Sequence, residues 1–131
     1  MSLQFRAAWL TLSWIWLGVI IILSLISIPG SVTVSIPHID KIEHTISYFI
    51  LMFLFGQCYV LTRNRIIYAV FFIALGISLE YLQGLTATRQ FEYADMVANT
   101  TGVFLGLLLS DSLLQKVVIA VDNKLKIIFK K

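Results

Sequence analysis

Four long apolar stretches, separated by short polar segments, dominate the pattern of the chain. The first, residues 7–28, contains no charged residue. At ~1.5 Å per residue, a helix of this length reaches about 33 Å, which is enough to cross a bilayer. The other stretches cover residues 42–61, 66–85 and 94–114. The pattern predicts an all-α, polytopic membrane protein, a single domain over residues 1–131 with four transmembrane helices.

The basic residues fall mainly on one side of the predicted spans. Lys and Arg concentrate in the short cytoplasmic segments of membrane proteins. Only Lys41 and Arg89 lie on the side of the first and third loops. The opposite side carries the other eight, which are Arg6, Arg63, Arg65, Lys116, Lys124, Lys126, Lys130 and Lys131. This asymmetry predicts that both termini are cytoplasmic and that the protein is a multi-pass protein of the inner (plasma) membrane.

The C-terminal tail, residues 115–131, has a basic amphipathic pattern. Its apolar residues recur near one helical face, and they are Val117, Val118, Val121, Leu125, Ile128 and Phe129. One interpretation is a short amphipathic helix on the inner leaflet, where apolar burial and anionic lipids stabilise it. The other is a loosely ordered basic terminus, and the pattern leaves both open.

The amino-acid composition argues against several classes of protein. The chain of 131 residues is 59% hydrophobic and 13% charged, against roughly 25% charged in soluble domains, and its mean hydropathy is +0.90. The net charge of +3 does not indicate nucleic-acid binding, because the basic residues are scattered at segment ends and in the tail. Cys58 is the single cysteine, which excludes an intramolecular disulfide. No glycine-rich phosphate loop is visible, and no cofactor is predicted.

The polar residues gather at the outer ends of the predicted spans. Five of the seven acidic residues fall there, and they are Asp40, Glu43, Glu80, Glu92 and Asp95. The same region holds His38, Lys41, His44, Gln83, Arg89 and Asn99. A charge at mid-membrane costs roughly 2.5–3.5 kcal/mol on insertion scales, so this one-sided placement favours a functional site.

Helical spacing places these residues on common faces, since positions three or four apart stack on one side of a helix. The three stripes are Asp40, His44 and Tyr48; Gly76, Glu80 and Gln83; and Asp95, Asn99, Gly102 and Gly106. The small-xxx-small pair Gly102 and Gly106 allows a neighbouring helix to approach closely. We therefore expect the stripes to meet inside the helix bundle.

The pattern of Asp40, Lys41, His44 and Tyr48, then Glu80, Gln83 and Arg89, then Asp95, Asn99 and Gly102, resembles VanZ-like membrane proteins. The resemblance covers about residues 39–106. The family is named for an accessory protein of glycopeptide resistance associated with teicoplanin. The resemblance therefore implies a four-helix membrane fold and a link to glycopeptide tolerance, but no particular reaction. The segment 86–88 lacks the proline or glycine that many relatives carry at this loop.

The outer cluster favours a pocket for membrane lipids or a lipid-linked cell-envelope precursor. Arg89 and Lys41 would hold a phosphate or carboxylate. His44 would move a proton near neutral pH, oriented by Asp40, and Glu80 would act as acid or base. The candidate catalytic residues are His44, Glu80 and Asp95, and the candidate ligand-binding residues are Asp40, Lys41, Tyr48, Gln83, Arg89 and Asn99.

Other interpretations stay open at this level. The site could belong to an enzyme that modifies an envelope lipid or peptide, or the polar residues could merely lock the four helices into register. The protein could also be an accessory subunit that binds a membrane protein partner through its helices; no feature predicts its oligomeric state. A metal site built on His44 is disfavoured because no His-x-x-x-His or Cys-x-x-Cys spacing supports it. Serine catalysis is disfavoured because Ser47 lies off the face of His44.

Overall fold

Five α-helices account for most of the residues that the computed structural model describes, which are 3–26, 39–86, 91–111 and 113–129. In chain order they are α1 (Arg6–Leu25), α2 (Ile39–Cys58), α3 (Thr62–Gly84), α4 (Tyr93–Leu109) and α5 (Leu113–Phe129). The all-helical class predicted from the sequence is confirmed.

Helices α1 to α4 correspond to the four predicted spans, with shifted ends. Helix α2 begins at Ile39, three residues before the predicted start, and Asp40 in its first turn interacts favourably with the helix dipole. It also ends earlier than predicted, at Cys58, whose carbonyl oxygen accepts a hydrogen bond from Arg6 Nε at 2.7 Å. Helix α4 ends at Leu109, where the predicted span continued to residue 114.

The tail is a fifth helix, so the helical alternative for residues 115–131 is correct for the part that is described. Its inward side carries Val118 and Asp122, which are buried. Its outward side carries exposed aliphatic residues such as Val117 and Ile127, with Lys124 also exposed. Through Asp122, helix α5 contacts the two residues before α1 and Trp9 in its first turn.

Helices α2 and α4 form the most extensive helix pair. Two glycines on α4 permit this contact. A Cβ on Gly106 would lie 2.7 Å from the carbonyl oxygen of Phe49, and one on Gly102 would overlap the carbonyl oxygen of Thr45. The two backbones can approach this closely only where α4 has no side chain.

Large apolar side chains occupy both the core and much of the outer surface of the helices. The core contains Tyr48, Leu51 and Phe55 of α2 with Phe72 and Val103 of its neighbours. Many large aliphatic side chains nevertheless point outward, among them Ile15 on α1, Val70 on α3 and Leu108 on α4. Helices α1 and α3 are long and apolar enough to cross a membrane, with mean hydropathies of 2.1 and 1.8 in their most apolar windows, whereas α4 is apolar over 17 residues.

Candidate functional site

A cluster of charged and polar side chains lies where the start of α2, the end of α3 and the start of α4 meet. We call it the polar cluster, and its members are Asp40, Lys41, His44, Glu80, Glu92, Asp95 and Asn99. The close approach of α2 and α4 at Gly102 brings the side chains of these two helices together. The three polar stripes were predicted to meet, and the glycines of α4 allow the close helix contact at which they do.

Lys41 is surrounded by three carboxylates. Its Nζ lies 2.5 Å from Asp40 Oδ2, 2.5 Å from Glu92 Oε2 and 2.6 Å from Asp95 Oδ1. Charge-assisted pairs of this kind are stronger than neutral hydrogen bonds. The ammonium group of Lys41 is therefore already neutralised, and an anionic ligand would have to compete with three carboxylates for it.

Asn99 and Asp95 of α4 orient the ring of His44. Nδ1 of the ring lies 3.0 Å from Asn99 Oδ1, and Nε2 lies 3.8 Å from Asp95 Oδ2. Because an amide oxygen only accepts, Nδ1 carries a proton in this contact, and Nε2 lies on the side of Asp95. Asp40 was expected to orient the imidazole, but its carboxylate is bound by Lys41 instead.

Three buried side-chain oxygens of the site make no hydrogen bond among the described residues, and of these Asp95 Oδ1 is compensated by its ion pair with Lys41, which leaves two. Glu80 is 1% exposed; its Oε1 accepts from the backbone N–H of Glu92 at 2.7 Å, while Oε2 has no partner. Tyr48 is 2% exposed, and its hydroxyl also lacks a partner. Buried polar groups are nearly always satisfied in native proteins, so these two atoms require an explanation.

Packing around Gly76 positions Tyr48 and Asn99 against α3. A Cβ on Gly76 would lie 3.2 Å from both Asn99 Cβ and Tyr48 Cε1. Gln83, one turn beyond Glu80, faces another helix. Its Nε2 donates to the carbonyl oxygen of Ser24 near the end of α1, at 2.9 Å.

A groove of about 260 Å³ opens beside the polar cluster, between α1 and α2. One wall is mostly apolar and comes from α1 and the residue that follows it, with Val19, Ile20, Leu23 and Ile26. The other wall comes from α2 and is polar, with Glu43, His44, Ser47 and Tyr48. Trp16 lines the groove as well, and its indole Nε1 donates to the carbonyl oxygen of Ser47 at 3.0 Å. The groove thus joins an apolar surface to the edge of the polar cluster.

The predicted site residues divide into three groups. His44, Glu80, Asp95, Asp40, Lys41 and Asn99 lie together in the polar cluster. Tyr48 and Gln83 lie next to it, each at a contact with a second helix. Arg89 and His38 lie outside the described residues.

Glu92 is a site residue that helical spacing could not assign. It lies just before α4, with its side chain on Lys41 and its backbone N–H on Glu80. The sequence places it among the acidic residues at the outer ends of the predicted spans, but on none of the three stripes. The carboxylate oxygens of Asp40, Glu92 and Asp95 lie within 4.8 Å of one another and have the chemistry of a cation site, and the ammonium of Lys41 lies among them.

A second set of polar contacts lies at the opposite end of the helices. We call it the terminal network, and its members are Arg6, Gln57, Arg65, Ser110, Asp111 and Asp122. Arg65 is buried; its Nε donates to the carbonyl oxygen of Tyr59 at 2.6 Å, and its Nη1 lies 2.5 Å from Asp111 Oδ1. Gln57 Nε2 donates to the carbonyl oxygen of Ser110 at 3.0 Å.

Asp122 joins the two ends of the chain within the terminal network. Its carboxylate accepts from the backbone N–H groups of Gln4 at 2.7 Å and Phe5 at 3.1 Å, and from the indole of Trp9 at 3.0 Å. Burial alone would raise the pKa of Asp122, but these three hydrogen bonds outweigh it and hold the pKa below its ordinary value. The sequence offered no local pattern for this contact, because its partners lie more than a hundred residues away.

No protein-family model, curated protein or solved structure matches this chain. Membership of the VanZ-like family therefore stays a prediction. What the site does has to be inferred from the chemistry of its own residues.

Proposed function

We propose that this chain is a small four-span inner-membrane protein whose polar cluster, on the extracytoplasmic side, recognises a lipid-linked or cell-envelope component. The membrane setting is supported by the exposed aliphatic surface of α1, α3 and α4 together with buried charged residues such as Glu80 and Arg65. In water this arrangement would expose apolar area and bury charge, whereas in a bilayer the exposed apolar area faces lipid and the charged residues stay inside the bundle.

The orientation follows from the charges at the two ends of the helices. The terminal network contains Arg6 and Arg65, with Arg63 at the start of α3, while the polar cluster contains a single lysine among the described residues. By the positive-inside rule, the terminal network and both termini face the cytoplasm.

Cysteine labelling tests this orientation. In a Cys58→Ser background, Tyr93→Cys places a thiol at an exposed position near the polar cluster, and Asn123→Cys places one on α5. A membrane-impermeant maleimide added to intact cells should label Tyr93→Cys, and should label Asn123→Cys only after permeabilisation. The reverse pattern would overturn the orientation, and labelling of both before permeabilisation would overturn membrane insertion as proposed.

The observation that carries the recognition proposal is the pair of unpartnered buried atoms, Glu80 Oε2 and Tyr48 Oη. A cluster that served only to hold helices together would be expected to satisfy its own members, since an unsatisfied buried polar atom costs about 1–3 kcal/mol, and more when it is charged. Tyr48 lines the open groove, which offers a route by which a ligand could approach its hydroxyl.

Native mass spectrometry of protein purified in mild detergent tests recognition. We expect wild-type protein to retain a lipid or envelope precursor that Glu80→Gln lacks. Asp111→Asn is the matched control, because it removes a carboxylate charge from the terminal network, where the side chain is 70% exposed. Identical adducts on all three proteins, or none on any, would contradict the proposal.

An enzymatic version is the second candidate, favoured by the geometry of His44. With Nδ1 donating to Asn99 Oδ1, Nε2 lies 3.8 Å from the Asp95 carboxylate, so two groups that can carry a proton lie side by side in the polar cluster. Head-group turnover of an envelope lipid or peptide in proteoliposomes should then disappear with His44→Gln. Turnover that persists in His44→Gln would exclude this role.

The resemblance to VanZ-like proteins adds a cellular expectation. Expression of the chain in a susceptible bacterium should raise tolerance to teicoplanin, and the increase should be lost with Glu80→Gln. An increase that persists in Glu80→Gln would separate the phenotype from the polar cluster.

A further inference from the structure

We infer that the groove between α1 and α2 binds a lipid that carries an ammonium group, with the aliphatic part along α1 and the ammonium directed at Glu43, His44 and Tyr48. This inference rests on the proposed recognition function and specifies the chemical class of its ligand. It differs from the phosphate or carboxylate ligand that Lys41 and Arg89 suggested in the sequence.

The first argument is the charge around the groove. The described residues near the site include five carboxylates, namely Asp40, Glu43, Glu80, Glu92 and Asp95. Lys41 is bound by three of these. Glu43 lines the groove without an ion-pair partner among the described residues, and no Lys or Arg is among the described residues that line it. Among the described residues, the groove therefore carries negative charge without a basic partner, which favours a cation over an anion.

The second argument is the hydrogen-bonding character of the polar groups that line the groove. The carboxylate oxygens of Glu43 can only accept, and the hydroxyl of Tyr48, which has no partner among the described residues, can accept as well. An ammonium group offers three donors and no acceptor. It therefore complements both groups, and it supplies the charge that a neutral donor would lack.

The third argument is the shape and lining of the groove. Its volume of about 260 Å³ is slightly below the ~300–1,000 Å³ of pockets that enclose a drug-sized ligand. It fits a head group with the adjoining chain segment, while the rest of the lipid stays in the bilayer. Trp16 and Tyr48 line the same space, and aromatic faces attract ammonium groups.

Calorimetric titration with amphiphiles of equal chain length tests the inference. The probes are octylammonium, octanol and octanoate, added below micelle-forming concentration to the full chain in neutral detergent, with protein-free detergent as the blank. We expect octylammonium to bind most tightly. Glu43→Gln and Tyr48→Phe should each weaken octylammonium binding by about fivefold, as expected for the loss of one charge or one hydrogen bond, and should leave octanol unchanged. Asp111→Asn, at the terminal network, should leave all three probes unchanged.

A groove-filling variant locates the binding. Val19→Trp places a large ring in the groove from the α1 side, and it should abolish binding of octylammonium and octanol together while the protein stays folded. Persistent octylammonium binding in Val19→Trp would overturn the inference.

The outcomes separate the inference from the proposed function. Octanoate binding that exceeds octylammonium binding and is lost in Val19→Trp would overturn the ammonium class but leave recognition at this site standing. Absence of binding for all three probes would overturn both.

Discussion

The two ends of the helices use polar residues in different ways. At the terminal network, Arg6 and Arg65 donate to backbone carbonyls, and all the hydrogen bonds of Asp122 come from the first residues of the chain. At the polar cluster, side chains bind mainly to other side chains, and Glu80 keeps one oxygen without a partner among the described residues. Polar groups that close helix ends and chain termini are structural, whereas unsatisfied charge beside an open groove suits a ligand.

The terminal network is not perfectly satisfied, and the exception sharpens the contrast. Gln57 Oε1 is buried without a partner among the described residues. It is a neutral amide oxygen, so its cost is that of a lost hydrogen bond, whereas Glu80 Oε2 belongs to a carboxylate. The two ends therefore differ in the charge of their unpartnered atoms as well as in the number of those atoms.

The largest predicted loss of stability comes from Gly102→Ala, which lies at the same end of the helices as the polar cluster. The new Cβ would overlap the Thr45 carbonyl oxygen and lie 2.9 Å from the Phe49 nitrogen. Backbone atoms cannot rotate away, so α2 and α4 must separate, and the contacts of Lys41 and His44 across this pair would break. We expect a loss of about 3 kcal/mol or more, measured by thermal unfolding in mild detergent.

Two other glycines are controls for this prediction. A Cβ on Gly56, near the terminal network, would meet the Oγ of Ser110, which can rotate, and would lie 2.8 Å from its Cβ, which cannot; the nearest backbone atom is 4.0 Å away, so Gly56→Ala should cost about 1–2 kcal/mol, less than Gly102→Ala. A methyl group on Gly18 would have nothing within 4 Å, and Gly18→Ala should be neutral or stabilising by up to about 1 kcal/mol. Equal losses at Gly102 and Gly56 would show that the two ends do not differ in helix packing.

The next largest effect is expected for Asp122→Asn in the terminal network. An amide retains one acceptor oxygen and turns its N–H groups toward donors that the carboxylate had satisfied. We expect a loss of about 2 kcal/mol in the free energy of unfolding, in the range for hydrogen bonds to charged groups. Asn123→Ala is the neighbouring control, because Asn123 accepts one exposed hydrogen bond at 3.4 Å, and it should change stability by less than about 0.5 kcal/mol. Equal effects of the two variants would refute a structural role for the carboxylate.

The Asp122 contribution should also depend on pH. Its folded pKa lies below the ordinary value of 3.8, so its stabilisation is complete above about pH 5 and is lost as the pH falls through the folded pKa. The stability difference between wild type and Asp122→Asn should therefore stay constant from pH 7 to about pH 5 and shrink in more acidic buffer. Other carboxylates titrate in both proteins and cancel in this difference. A difference that grew in acid would contradict the assignment.

Much of the polar cluster was predictable from the sequence. The helical period places Asp95, Asn99 and Gly102 on one face without any tertiary information, and the structure has all three against α2 or its side chains. The all-helical class followed from the apolar stretches in the same way. These features depend on local periodicity alone.

The remaining contacts were not predictable, because each residue has several possible partners and the packing of the helices decides which one it contacts. Asp40 lies within reach of both Lys41 and His44 along the chain, and only the position of α4, which holds His44 through Asn99, decides between them. Glu92 enters the site from outside any helix, where spacing rules do not apply. Asp122 meets residues at the other end of the chain, a contact that no local pattern signals.

The smallest predicted change in stability, and the sharpest test of the comparison, is Glu80→Gln. The amide keeps Oε1 as the acceptor for the Glu92 N–H, replaces the unpartnered oxygen, and removes one negative charge from a cluster that also holds Glu92 and Asp95. The free energy of unfolding should stay the same or rise by less than about 1 kcal/mol, as removal of a charge kept for function often allows. Thermal unfolding of Glu80→Gln beside Asp122→Asn measures the contrast directly. If Glu80→Gln unfolds well below wild type, the polar cluster is a structural lock like the terminal network, because its charge would then stabilise the fold.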